Sequence, residues 1–223
     1  NSTYFLINYN KQNIFRGFGV QAGLTLIHYS NANVRVPNSS TNTVSFNIGM
    51  QYDLDQKESP ILFKKNTYEK YSEPIKFNLI FRGGVNESDF IGLGQYPFWI
   101  VSTYLDKRLS YLSSIQFGAE VFFAKFLKKE IEYIAAAFPN SGITGDEDSA
   151  RVGVFVGHEL HLNKLGIVTQ LGYYAYYPYE FEGRVYIRAG LNYYFYKNIF
   201  GSVTLKSHGA KAEAVEFGLG IRI

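Results

Sequence analysis

The chain has 223 residues, 46% of them hydrophobic and 17% aromatic, with no cysteine and a formal net charge of +3 at pH 7. Without cysteine there is neither a disulfide framework nor a thiolate metal site, and a small charge with no basic run offers nucleic acid no footprint. No apolar run approaches the roughly 18 residues of a spanning helix, so any crossing of a membrane falls to strands.

Apolar residues instead recur with period two, the spacing of a strand with one greasy face. A first strand is expected near 2–9 and a turn near 10–14. In the second, near 15–30, Phe18, Val20, Ala22, Leu24, Leu26, His28 and Ser30 share one face, opposite Gly17, Gly19, Gln21, Gly23 and Thr25. The third, near 43–54, sets Val44, Phe46, Ile48, Met50, Tyr52 and Leu54 against Thr43, Ser45, Asn47, Gly49, Gln51 and Asp53, which puts Asn42 in the apolar register. A Lys-rich connection over 55–74 follows.

Ile75, Phe77, Leu79 and Phe81 then alternate with Lys76, Asn78 and Arg82 in a strand near 75–86, and another strand lies near 96–105. Near 111–124, Ile115, Phe117, Ala119, Val121 and Phe123 oppose Gln116, Gly118 and Glu120. The segment 125–150 starts as a helix on Phe126, Ile131, Tyr133, Ile134 and Ala137, which Pro139 ends. Gly145–Asp148 reads as a solvated turn, because its carboxylates lack the ligand spacing of a calcium loop. Strands near 151–161 and 165–177 lead into Tyr173, Tyr174, Tyr176, Tyr177 and Tyr179, rings suited to a membrane interface. Strands near 184–196, 199–208 and 212–223 complete the count at eleven.

Eleven strands of this length would enclose a space too wide to fill with apolar side chains, while Arg, Lys, Glu and Gln on the second face suit a polar interior. The expected fold class is therefore all-β, a transmembrane antiparallel up-and-down β-barrel with lipid outside. The whole chain, 1–223, is expected to form one barrel domain. Short turns go to the periplasmic side; the loops 31–42, 87–95, 125–150 and 178–183 go outside, and 55–74 is an exceptional long periplasmic connection. An even strand number brings both ends to the periplasm, so eleven visible strands imply twelve to fourteen in all and a missing N-terminal piece.

His28 and Ser30, two apart on one strand face, pair an imidazole with a hydroxyl as nucleophilic ester hydrolysis requires. The run His28-Tyr29-Ser30-Asn31-Ala32, with Pro37-Asn38 downstream, resembles the active-site segment of the lipid A 3-O-deacylase family, outer-membrane barrels grouped with acyloxyacyl hydrolase-like proteins. The run Leu205–Glu213 and the ending Glu216–Arg222 are similar to the C-terminus of a larger branch of that grouping. The resemblance implies removal of an ester-linked acyl chain of lipid A, with Ser30 as nucleophile and His28 as base. It implies Asn38 at the oxyanion hole, and it puts Asn42 where the family carries a glutamate. Asn33 stands where the small deacylases often have glycine.

An amide can orient an imidazole but cannot stabilise an imidazolium as a carboxylate does. The alternative is consequently a weakened or inactive barrel that serves as a structural subunit of a multiprotein outer-membrane complex. The implied surroundings are the bacterial outer membrane, with lipid A or lipopolysaccharide and outer-membrane lipid as partners, other outer-membrane proteins in the second reading, and no cofactor. A diffusion channel would need an open interior. Ser207 and His208, like His158 and Glu159, are adjacent and point to opposite faces, so both pairs read as structural.

Overall fold

A computed structural model describes residues 2–29, 41–54, 71, 73–209 and 211–223. It contains the eleven expected strands and one helix, in two compact units.

The first unit is an antiparallel sheet of β1 (Ser2–Phe15), β2 (Phe18–Tyr29) and β3 (Thr41–Tyr52), with β2 in the middle. The β1–β2 turn lies at Arg16 and Gly17, with φ of 45° and 85°, and not near 10–14 as expected. A two-residue turn with both φ positive matches the twist of a hairpin, and glycine adopts it without strain. The polar run before it stays in the strand through a register shift between Lys11 and Phe15. Asn13 accepts the Gly17 N–H at 3.1 Å.

Across the sheet Ile7 pairs with Leu24, Leu24 with Phe46, and Ala22 with Ile48. This face is exposed, Leu24 by 41% and Phe46 by 67%. On the opposite face Gln51 donates to Asn10 at 2.7 Å. The sheet thus has the amphipathic section of a barrel wall, greasy on one side and carboxamide-lined on the other.

The second unit is a closed antiparallel ring of β4 (Lys76–Glu87), β5 (Gln95–Arg108), β6 (Ser113–Ala124), β7 (Ala150–Leu162), β8 (Leu165–Tyr176), β9 (Val185–Tyr196), β10 (Ile199–His208) and β11 (Lys211–Arg222). β11 pairs with β4, and Phe77 and Ile223 exchange backbone hydrogen bonds at 2.8 and 2.7 Å. The ring closes with eight strands, not twelve to fourteen. Direction supplies the reason. In a run of eleven consecutive antiparallel strands the first and last are parallel, whereas β4 and β11 oppose each other and form an antiparallel seam.

Eight strands leave an interior that side chains can fill, and here they do. Arg188 donates to Glu216 at 2.6 Å and to Glu120 and Gln170 at 2.9 Å. Arg82 and Ser102 extend the cluster at 2.7 Å, Ser102 donates to Glu120 at 2.6 Å, and Tyr186 also donates to Glu120. Towards one end Arg151 and Lys206 share Glu213 at 2.6 and 3.0 Å, and the Lys206 ammonium lies 4.1 Å from the Phe122 ring centre. All these side chains are buried. Charges removed from water persist when paired and hydrogen-bonded, so the polar face of each strand becomes a solid core and no aqueous pore runs through the ring.

The packing also dictates sequence. At Gly172 an added Cβ would lie 2.0 Å from the Tyr186 ring, so glycine there lets the ring lie against the backbone. Outside, Trp99, Val101, Phe117, Leu191, Phe217 and Leu219 are exposed, the apolar band expected of a wall against lipid.

The helix α1 (Lys125–Ala137) continues directly from β6 and ends before Pro139. It buries Phe126, Leu127 and Ile131 against Phe98, Ile100, Tyr177 and Phe181, closing that end of the ring. Buried Glu130 ties the cap together, accepting from Ser88 at 2.6 Å and from Tyr179 at 2.7 Å. The tyrosine-rich stretch is therefore divided. Tyr173 and Tyr176 face outward, but Tyr174, Tyr177 and Tyr179 are buried, because the strand period sends Tyr174 inward and the chain beyond Tyr176 folds over the ring.

Candidate active site

His28 and Asn42 come together because β2 and β3 pair in the register that sets them directly opposite each other. Their side chains fall on the greasy face, and His28 Nδ1 lies 2.7 Å from Asn42 Oδ1. A carboxamide oxygen only accepts, so Nδ1 carries the proton and Nε2 is left as the basic nitrogen. An orienting group on one ring nitrogen and a free base at the other is the arrangement of a histidine that activates a hydroxyl. Ser30, Asn38 and Asn33 lie outside the described residues.

Two further serine–histidine contacts were not legible in the sequence, since strand pairing creates them across long separations. Ser113 Oγ lies 2.7 Å from His158 Nε2 on the exposed side, and Ser114 Oγ lies 2.7 Å from His161 Nε2 inside the ring. Among the described residues neither histidine is hydrogen-bonded to a carboxylate or carboxamide, so both lack the orienting partner that His28 has. His208 sits 3.1 Å from Glu213 inside the ring, away from any serine partner, in keeping with a structural role. The acidic turn uses its own donors: Glu147 accepts the backbone N–H groups of Thr144 and Gly145 at 2.8 and 3.0 Å. Those bonds hold its carboxyl below the usual range.

Greasy-walled strands around a charged core, with an oriented histidine on the oily face, define a membrane β-barrel of hydrolase type. Residues 75–223 match the family described as acyloxyacyl hydrolase, C-terminal domain, and residues 1–51 match lipid A 3-O-deacylase. The chain belongs to the acyloxyacyl hydrolase family of lipid A deacylase-like barrels, which fits the bacterial outer membrane and implies lipid A as the substrate class.

No curated protein matches the chain. Among solved structures, a triple mutant of the Rhodopseudomonas blastica porin aligns over 100% of this chain and 90% of its own, at 7% identity and a TM-score of 0.24. A second mutant of that porin aligns over the same shares at 8% identity and a TM-score of 0.23. Scores this low carry no argument, and the fold rests on the strand pairing itself.

Proposed function

We propose that this protein removes an ester-linked acyl chain from lipid A at the outer leaflet. The observation that carries the reading is the 2.7 Å contact between His28 and Asn42 on the lipid-facing side of a strand pair, within the stretch that matches lipid A 3-O-deacylase. Ser30 Oγ attacks the ester carbonyl while His28 Nε2 takes its proton; the alkoxide leaves with that proton, and water then releases the acyl group from Ser30. Asn38 donates to the developing oxyanion. Asn42 holds the tautomer without a charge, which predicts a slow enzyme.

Loop lengths support an orientation. The cap helix and the connections after β4 and β8 lie at one end of the ring, and the two-residue turns after β7 and β9 at the other. The capped end is the outer one, on the rule that short turns are periplasmic.

Mass spectrometry of lipid A from cells expressing the wild type should show a species one acyl chain lighter, and Ser30→Ala should abolish it. Identical spectra for the two would refute the hydrolase reading.

A further inference from the structure

The β1–β3 sheet has two edges without a ladder among the described residues, since β1 and β3 each pair only with β2. Its greasy face places it in lipid, and in a bilayer unpaired backbone N–H and C=O groups cost several kcal/mol each, so open edges do not persist. What completes the edges must itself be a strand, apolar on one side and polar on the other. This inference rests on the membrane reading above.

The identity of that strand is narrowed by direction. No other described strand of this chain has an edge to give, because each ring strand is already paired on both sides. A second copy is excluded by parity. β1 and β3 both run antiparallel to β2 and so run parallel to each other. A copy inserted the same way across the membrane would set its β1 parallel to this β3, and bacterial outer-membrane walls are antiparallel throughout. Only an odd number of strands gives an antiparallel neighbour at both edges and brings the total to an even number.

We propose that β1 and β3 dock an odd number of transmembrane strands from a different membrane β-protein. Residues facing the polar side match such a partner in kind, since Asn8, Asn10, Asn47 and Gln51 offer carboxamides that can donate or accept across a barrel interior.

Photoreactive benzoylphenylalanine at Leu6 in β1 and at Ser45 in β3 tests this in outer membranes carrying the full chain; both positions are paired with Thr25, away from His28 and Asn42. The same reporter at Phe217 on the ring exterior reads the membrane independently. The expected result is lipid adducts at Phe217 and, at both Leu6 and Ser45, a mass shift that maps to alternating apolar and polar segments of one other protein. Lipid at Phe217 with Leu6 and Ser45 joined only to lipid, to a second copy or to residues 55–70 overturns the docking alone. Absence of lipid at Phe217 overturns the membrane reading and the docking with it.

Discussion

Asn42 is the residue on which catalytic power turns. Its oxygen fixes the His28 tautomer, but an imidazolium beside an amide lacks the neighbouring negative charge that would stabilise it. Asn42→Asp should therefore speed deacylation by at least about tenfold, the equivalent of 1.36 kcal/mol in the barrier, as read from initial rates on purified lipid A. A rate unchanged or lowered by the carboxylate would mean that His28 is not the base. Inside the ring, Arg188 has the corresponding importance for stability, because it bridges Glu120 and Glu216, both fully buried. Arg188→Leu leaves two carboxylates with Arg82 as their remaining cation, and breaking such a buried pair costs roughly 3–5 kcal/mol. Urea unfolding in detergent should register a loss of that order.

Among the elements, the segment leading into β4 is held to the ring by charge. Glu73 accepts from Arg222 at 3.0 Å and from Tyr71 at 2.9 Å, with Arg108 3.9 Å away. Partial burial alone would raise its pKa, but the hydrogen bonds and the two guanidinium charges together hold it below its ordinary value of 4.5. A carboxyl whose folded value is depressed contributes stability that is present above the unfolded value and disappears as pH falls through the folded one. Hydrogen exchange around 71–75 should thus accelerate as pH drops below 4.5, after correction for intrinsic rates. Glu73→Gln should show the faster exchange already at neutral pH and lose the dependence. The helix needs no such charge: apolar packing of Phe126, Leu127 and Ile131, together with the neutral donors Ser88 and Tyr179 on Glu130, fixes the cap.

At the scale of the molecule, the ring is a filled cylinder and not a conduit. Buried salt bridges occupy its middle, and α1 with the chain after Tyr176 covers one end. Purified protein in planar bilayers should show no stepwise ion conductance, and steps of porin size would contradict the packed interior. The ring serves as a rigid stave in the membrane, while the candidate chemistry belongs to the separate three-stranded unit.

Period two is local, and that is why so much could be read from the chain. Each residue's face on its strand follows from its neighbours two positions away, so the eleven strands, the helix ended by Pro139 and the shared greasy register of His28 and Asn42 were all legible without coordinates. Closure was not, because which strands form the seam depends on direction and registry between residues more than a hundred positions apart, as with Phe77 and Ile223. The fate of Tyr174, Tyr177 and Tyr179 and the pairing of Arg188 with Glu120 and Glu216 were equally hidden, since aromatic and charged residues carry no local mark of the partner that will bury them. The sequence by itself determined which side of every strand meets oil; the tertiary structure decided how many strands make the ring and turned its polar side into a neutralised core, because only folding brings distant charges within hydrogen-bonding reach.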